Sequence, residues 1–184
     1  MTFQFWERLV GGMATASELA AAIEAFVREP KRILGADQPY EWRPGSSQYE
    51  RMTSFPIEIG GEAPPAARFQ VVGFPQASQP KFRLLLCYNA CIARLDYTDE
   101  THLNAHRTME DGIPPFVQGP HYHSWPLNRR FFRGASTAPE LHNAELFTMQ
   151  ASFDSILRWF CQEVNIQQLT GGHLIALPQR DRLL

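Results

Sequence analysis

The sequence predicts an α+β protein in which an antiparallel β-sheet has an N-terminal and a C-terminal helix packed on one face. Apolar residues recur at helical period near both ends of the chain. In the middle of the chain, apolar residues alternate with polar ones in short runs, which Gly, Pro and Ser clusters separate. A helix, several strands and a second helix in that order are typical of the α+β class. We expect residues 1–184 to form one domain, because a chain of 184 residues is short for two.

The first predicted element is a helix over residues 14–29. Thr15 and Glu18 have the spacing of a capping box, and apolar residues follow them at helical period. Pro30 ends this pattern. Residues 30–47 contain several Pro and Gly residues without any period, and they predict a connecting loop.

The antiparallel sheet is predicted over residues 49–132, and its clearest unit is the hairpin "KFRLLLCYNACIARLDY". A two-residue turn at Asn89 and Ala90 predicts an apolar face that pairs Phe82 with Tyr97, Leu84 with Leu95, Leu86 with Ala93 and Tyr88 with Cys91. The same register pairs Arg83 with Asp96 and Leu85 with Arg94 on the other face. A slip by one residue would mix the apolar and charged sets, so the pattern itself favours this register.

The later segments predict a long connection and a second helix. Residues 98–120 lack either period and are rich in turn formers, which indicates a long loop within the sheet. Residues 152–165 predict the C-terminal helix, because apolar residues fall at helical period after Ser152 and Asp154, which suit its N-terminus. The segment "HLIAL" near the end of the chain predicts a short strand.

Composition narrows the class of protein. With 44% hydrophobic and 20% charged residues, the chain has the composition of a folded soluble protein. The net charge of -2 supplies no overall field for nucleic acid or an anionic membrane. No secretory leader and no membrane-spanning run is evident, which predicts a cytoplasmic location. The three cysteines lack metal-site spacing and are expected to be reduced, buried thiols.

The stretch "GPHYHSWPLNRRFF" contains the main candidate site. Side chains at i and i+2 on a strand point to the same face, so His121 and His123 are expected to stand side by side. Two imidazoles completed by His102 or His106, with Asp96 or Asp99 as a further ligand, would suit a divalent transition metal such as zinc. The alternative is a solvated polar face beside Trp125.

A metal-free nuclease is a second catalytic hypothesis. Cleavage of RNA needs a base, an acid and a cation for the phosphate, and His121, His123, Arg129 and Arg130 could supply these roles. Phosphate-binding loops of the G-x-x-x-x-G-K-[ST] and G-x-G-x-x-G types do not occur, nor does the metalloprotease motif H-E-x-x-H.

The run "FRLLLCYNACIARLDYTDETHLNAH", followed by "GPHYHSWPLNRRFF" and "SFDSILRWFCQEVNI", resembles a group of small bacterial proteins. Their plan is an R-x-D-like strand end, a histidine-containing loop, a G-P-H-x-H strand and a terminal helix. The run is also similar to TumE-like toxins of toxin–antitoxin pairs, in which a hairpin ending in an aspartate precedes a histidine-rich strand. The resemblance covers roughly residues 66–166, and it implies that Asp96 acts beside the histidines.

Three functional hypotheses follow. The leading one is a protein of toxin–antitoxin or mobile-element defence systems that acts as a His-dependent ribonuclease. The alternative is a non-catalytic protein-binding or immunity-type module, anchored by exposed aromatic residues such as Trp125 or Trp159. A further alternative is a small His-ligated metalloenzyme. The expected partners are RNA or a cognate protein, with a homodimer as a candidate assembly and no membrane partner.

Overall fold

The structure is a computed structural model that describes residues 15–132, 141–167 and 175–179. Within them the chain has the α+β class, with helices and antiparallel strands in one fold. The elements are α1 (Ala16–Arg28), β1 (Lys31–Ile33), β2 (Arg43–Pro44), β3 (Arg51–Ile59), β4 (Ala67–Gly73), β5 (Phe82–Tyr88), β6 (Ala90–Tyr97), β7 (Thr101–Leu103), β8 (Phe116–Gln118), β9 (His121–His123), α2 (Trp125–Asn128), β10 (Glu145–Leu146) and α3 (Phe153–Glu163). Short 3-10 helices lie at Met109–Asp111 and Arg129–Phe131.

The main sheet has the strand order β1-β3-β4-β5-β6-β9-β10, and β2 pairs with β3 beside β1. Every pair in it is antiparallel. Strands β3 to β6 follow one another as neighbours, which is the usual result of short connections between consecutive strands. Strands β7 and β8 form a separate two-stranded hairpin inserted between β6 and β9.

The hairpin of β5 and β6 has most of the predicted register. Five predicted pairs are confirmed, from Phe82 opposite Tyr97 to Leu86 opposite Ala93. The predicted pair of Tyr88 with Cys91 is wrong, because the register shifts after Leu86 and brings Cys87 opposite Cys91 and Tyr88 opposite Ala90. The turn is made by Asn89 at φ 59°, a left-handed conformation that asparagine tolerates better than most residues.

Both main helices begin with the predicted side-chain caps. The side chains of Thr15 and Glu18 each accept a hydrogen bond from the backbone N–H of the other residue, which completes the capping box of α1. In α3, Ser152 accepts from the backbone N–H of Ser155. Such caps satisfy backbone donors that the first turn leaves without partners.

Ring contacts join the helices to the sheet. Phe26 of α1 lies 4.9 Å from Tyr88 between ring centroids, and Phe160 of α3 lies 6.1 Å from Phe69. These side chains belong to one buried apolar cluster that also contains Leu84, Leu86 and Leu95. The three leucines of the predicted apolar face are therefore buried together.

Lys31 is fully buried and joins the ends of the two helices. Its Nζ atom donates to three carbonyl oxygens at the C-terminus of α1, those of Phe26, Val27 and Glu29. Its backbone N–H donates to the carbonyl of Asn165, and its own carbonyl accepts from the N–H of Gln167. Burial lowers the pKa of Lys31 to about 7, and its amino group satisfies helix-end acceptors that would otherwise be buried without partners.

The regions predicted as loops contain short strands. Residues 30–47 include β1 and β2, and residues 98–120 include β7, β8 and a 3-10 helix. Strands of two or three residues show too few alternations to be recognised by period. The predicted sheet boundary at residue 132 is also different, because the chain leaves the sheet after His123 and enters α2, with Ser124 as its N-cap.

The predicted strand "HLIAL" lies partly outside the described residues, and residues 175–179 form no strand. None of the helices in the described part of the chain is long and apolar enough to cross a membrane.

Candidate functional site

The side of the sheet opposite the buried leucines is here called the polar face, and its register groups the side chains in rows. The first row runs across β3, β4, β5, β6 and β9 through Met52, Val72, Arg83, Asp96 and His121. The second row runs through Ser54, Gln70, Leu85, Arg94 and His123. Because directly opposite residues lie side by side, the sheet brings Arg94, Asp96 and both histidines together.

Asp96 is the charged centre of the site and is only 3% exposed. Its Oδ2 atom lies 2.9 Å from Nε of Arg94, 3.2 Å from Nε2 of His121 and 3.5 Å from Nε2 of His123. Burial raises the pKa of Asp96, but the contacts with His121, His123 and Arg94 outweigh this effect and hold that pKa well below its usual range. The carboxylate is therefore ionised.

The other carboxylate oxygen of Asp96 is less well satisfied. Oδ1 forms an ion-pair contact of 3.3 Å with Nε of Arg83 but no hydrogen bond within the described residues. A buried acceptor without a hydrogen bond costs free energy and calls for a physical reason. A bound water or ligand would supply the missing hydrogen bond.

The β7–β8 hairpin places His102 against the strand pair. Its ring centroid lies 4.6 Å from that of His123 and 5.3 Å from that of His121. One donor atom from each of these three histidines lies within 4.8 Å of the others. The expectation that His102 or His106 approaches the strand pair is thus confirmed for His102.

A backbone carbonyl fixes the tautomer of each of these rings. Nε2 of His102 lies 2.9 Å from the oxygen of His142. Nδ1 of His121 lies 2.8 Å from the oxygen of Gly119, and Nδ1 of His123 lies 3.1 Å from that of Asn143. Because a carbonyl oxygen only accepts, these nitrogens donate their N–H, so a ring that carries no second proton has its lone pair on the opposite nitrogen. Histidines that bind metals are oriented in this way.

The contacts of Asp96 with two of the histidines have the spacing of ligands in a tetrahedral metal site. With metal–ligand bonds of about 2.0–2.1 Å, two tetrahedral ligands lie about 3.3–3.4 Å apart. The separations of Asp96 Oδ2 from the Nε2 atoms of His121 and His123, 3.2 and 3.5 Å, bracket this value. His102, His121, His123 and Asp96 therefore form a candidate ligand set.

The protonation of two of these histidines also suits metal binding. Burial lowers the pKa of His123 to about 4, and the positive charge of Arg94 acts in the same direction. Burial likewise lowers the pKa of His102, assisted by the charges of His121 and Arg94. Near neutral pH both rings are uncharged, as an imidazole ligand must be.

Arg94 competes for the same acceptor atoms. Its guanidinium donates from Nε to Oδ2 of Asp96 and from a terminal nitrogen to Nε2 of His123, both at 2.9 Å. A cation bound by these acceptors would have to displace the guanidinium, since both positive groups need the same lone pairs. Arg94 would then present its donors to the adjacent cleft.

This cleft has a volume of about 420 Å³ and runs along the polar face. Its lining includes Arg83, Arg94, Asp96, His102 and His121. Arg83 also pairs with Glu50 at 3.0 Å and with Glu100 at 3.3 Å, which leaves Arg94 as the guanidinium with fewer acidic partners.

Residues 142–144 supply two of the carbonyls that orient the histidines, and two buried asparagines hold this segment. Asn128 donates to the Asn143 carbonyl at 2.9 Å and accepts from the N–H of Asn143 at 2.8 Å. Asn104 makes the same pair of contacts with the backbone of Ala144. Sequence reasoning missed both asparagines, because an isolated asparagine in a turn-rich segment has no distinguishing pattern.

Several other predicted site residues lie elsewhere. His106 stacks on His142 with ring centroids 4.3 Å apart and is not among the three histidines of the cluster. Asp99 is exposed and pairs with Lys81. The cations predicted from the sequence, Arg129 and Arg130, pair with Glu24 and Asp111 and do not line the cleft. The cause is the turn at Ser124, which directs the chain into α2 and a 3-10 helix.

The aromatic anchors expected for a binding module are not exposed. Trp125 is 2% exposed, and Trp159 is half-buried between Tyr122 and Phe147. Both tryptophans belong to the packing of the fold. The expectation of an exposed anchor is therefore wrong for Trp125, and Trp159 is only partly exposed.

No family model matches the chain, and neither a curated protein nor a solved structure shows significant similarity to it. The geometry of the site is therefore the evidence for function.

Proposed function

We propose that this protein is a small metalloenzyme that hydrolyses phosphodiester bonds of RNA. The observation that carries the proposal is a cluster of three histidines, each oriented by a backbone carbonyl, of which His121 and His123 contact the carboxylate of Asp96. A divalent transition metal such as zinc is the ion that this donor set suits.

The arrangement of the helices supports a substrate site on the polar face. Tyr88 and Phe69, which contact Phe26 of α1 and Phe160 of α3, have register partners that put both rings on the side of the buried leucines. We infer that α1 and α3 cover that side together and leave the polar face for the substrate.

The chemistry assigned to the chain's own residues is binding and charge stabilisation. A bound metal would supply Lewis acidity and an activated water at neutral pH. His102, His121, His123 and Asp96 would hold it, and the displaced Arg94 guanidinium would bind a phosphate oxygen in the cleft, because its planar donors match phosphate geometry. A substrate anion would thus replace the carboxylate as the partner of Arg94.

A metal-free acid–base nuclease is the second candidate, favoured by the 3.2 Å contact between His121 and Asp96. In this mechanism His121, held by Asp96, would transfer the proton, while His123 remains neutral near pH 7. Arg94 would then bind phosphate without displacement by a metal.

Metal analysis and activity measurements separate the two candidates. Protein purified without chelator should contain about one equivalent of zinc or another transition metal, and chelation should abolish cleavage of a fluorescent RNA. His102→Ala, His121→Ala and His123→Ala should each lose metal, whereas His106→Ala, the matched control outside the cluster, should retain it. Activity that persists after complete metal removal and disappears in His121→Ala would favour the metal-free mechanism. Protein without metal and without activity on RNA would refute both.

We further propose that the cellular role is that of a toxin or a mobile-element defence protein. Expression of the parent chain should then arrest bacterial growth, while a His121→Ala, His123→Ala double variant with unchanged folding should be tolerated. Equal toxicity of the two chains would disprove this role for the site and favour the binding-module hypothesis.

A further inference from the structure

Cys87 and Cys91 lie directly opposite each other on β5 and β6. They belong to a third row of the polar face, which runs from Pro56 through Arg68 to the two cysteines. Both are free thiols and neither is fully buried, whereas Cys161 in α3 is buried. This pair is separate from the histidine cluster and has no part in the proposed hydrolysis.

The register shift in the hairpin is what creates the pair. In the regular register Cys91 would lie opposite Tyr88 on the apolar side. The shift after Leu86 instead brings Cys91 opposite Cys87. Directly opposed residues of antiparallel strands have Cα atoms about 4.5–5.5 Å apart. Both values lie within the range of about 4.4–6.8 Å that a disulfide requires.

The surroundings of the two sulfurs make them chemically different. The Cys87 thiol donates to Oε1 of Gln70 at 3.6 Å, and the Cys91 thiol donates to the carbonyl of Ala93 at 3.4 Å. The neighbouring Cys91 side chain lowers the pKa of Cys87, and the charge of Arg68 acts in the same direction against the effect of burial. The pKa of Cys91 is raised by the same interaction and by burial. Cys87 is therefore the thiol that ionises first, with a protonated thiol beside it.

We propose that Cys87 and Cys91 form a redox-active dithiol that a hydroperoxide converts to an intramolecular disulfide. The Cys87 thiolate attacks one peroxide oxygen, the O–O bond breaks, and a sulfenic acid forms as hydroxide or an alcohol leaves with the second oxygen. The Cys91 thiol then attacks the Cys87 sulfur, the S–O bond breaks and water leaves. Two thiols are oxidised to one disulfide, and the peroxide is reduced to water, or to water and an alcohol.

The disulfide would be redox-active and would add little to the stability of the fold. The closed loop spans only the turn between Cys87 and Cys91, and the entropic stabilisation from a disulfide is smallest for the shortest loops. A partly exposed disulfide is also open to attack by a reducing thiol. The bond is therefore expected to form and to be reduced again without unfolding of the protein.

Peptide mapping tests the proposal. Trypsin cleavage after Arg83 and Arg94 releases both cysteines in one peptide, "LLLCYNACIAR", and Cys161 in another. After limited hydrogen peroxide and alkylation in denaturant, this peptide should be about 2 Da lighter than the unalkylated dithiol peptide and carry no alkyl group, because two hydrogens are lost. Cys161 should be fully alkylated, and dithiothreitol should restore both alkylation sites.

Single variants give the matched controls. In Cys91→Ser the sulfenic acid on Cys87 cannot be resolved, so it should be trapped by dimedone. In Cys87→Ser no trapped adduct is expected at Cys91 under the same conditions. Two freely alkylated thiols after peroxide treatment, or a disulfide between two chains in place of the internal bond, would overturn the proposal. The assay reads sulfur chemistry alone, so its result is independent of metal content and of RNA cleavage.

Discussion

Nε2 of His121 lies 3.2 Å from Oδ2 of Asp96, and the two residues are register partners on β9 and β6. Each is only 3% exposed. Because backbone pairing of the two strands sets this contact, the acid and the imidazole keep their separation without support from a loop. Sites built on strands are held more accurately than sites built on loops.

Asp96→Asn should destabilise the protein strongly. Removal of the carboxylate charge leaves Arg83 and Arg94 close together without their shared counter-charge, and loss of one partner in a buried ion pair typically costs about 3–5 kcal/mol. Urea unfolding near pH 7 measures the change. Asp99→Asn, at an exposed carboxylate, is the control and should change the free energy of unfolding by less than about 0.5 kcal/mol. Equal effects of the two substitutions would contradict this account.

The stability of the folded state should rise between about pH 4 and pH 6.5 because of His123. Burial lowers its pKa to about 4 in the folded state, so the unfolded chain binds more protons across this interval and the free energy of unfolding increases with pH. The resulting increase in the free energy of unfolding across this interval is at most about 3 kcal/mol. His123→Gln should remove most of this slope, as measured by denaturant unfolding at several pH values. An unchanged slope in the variant would assign it to other groups.

Asp96 should change the stability of the folded state in a lower pH interval than His123 does. Its pKa is lower when folded than when unfolded, so its contribution is fully present above the unfolded value of about 4 and is lost as the pH falls below that value. The parent protein should therefore lose stability on acidification below pH 4 by more than Asp96→Asn does. A parallel loss in both proteins, followed by circular dichroism, would contradict this expectation.

Arg94→Gln should tighten metal binding while it lowers catalytic turnover. The guanidinium competes with a cation for Asp96 and His123, and its removal should lower the Kd for zinc by about tenfold or more, equivalent to about 1.4 kcal/mol. Isothermal titration with zinc measures the affinity. Arg68→Gln, on another row of the polar face, is the control and should leave the Kd unchanged. Weaker binding in Arg94→Gln would show that Arg94 supports the site and does not compete for it.

Asn128→Ala should weaken metal binding although Asn128 is not a ligand. It holds the Asn143 backbone, whose carbonyl orients His123, and loss of such a supporting contact typically costs about 10–100-fold in metal affinity. Asn128→Asp keeps the oxygen that accepts from Asn143 and should lose less. If both variants bind zinc like the parent chain, the Asn143 carbonyl is not needed to orient His123.

Leu84→Ala should destabilise the protein by about 2–5 kcal/mol, because it removes a fully buried side chain and leaves a cavity. Leu85→Ala, on the next residue but on the half-buried polar side of β5, should cost clearly less. Chemical unfolding of the two variants measures the difference. A larger loss in Leu85→Ala would reverse the assignment of the two faces.

The parts of the fold that the sequence predicted are those with a repeated local pattern. The caps at Thr15 and Ser152 follow from short-range spacing, and the alternation of β5 and β6 specified the pairing of Leu84 with Leu95. The register shift that pairs Cys87 with Cys91 was not predictable in this way, because the start of β6 is a run of four small or apolar residues, Ala90 to Ala93, without the polar alternation that would mark an extra residue.

The candidate site was predicted only in part, for a related reason. The i, i+2 spacing of His121 and His123 places both rings on one face of a strand. The approach of His102 depends on the inserted β7–β8 hairpin, and the roles of Asn104 and Asn128 depend on contacts with residues 142–144. These contacts join positions 15 to 40 residues apart and have no local signature. Arg129 and Arg130 follow the histidines closely in sequence but lie outside the cleft, because the chain enters α2 after Ser124.

Lys31 also has a consequence for the order of folding during synthesis. Its amino group is buried against the end of α1, and its backbone pairs with residues that follow α3, more than 130 positions later. Until those residues leave the ribosome, the backbone of Lys31 lacks its partners after α3, and the central strands have no C-terminal helix to cover them. We therefore expect a nascent chain arrested before α3 to remain sensitive to proteases, and the completed chain to become resistant in a single late step.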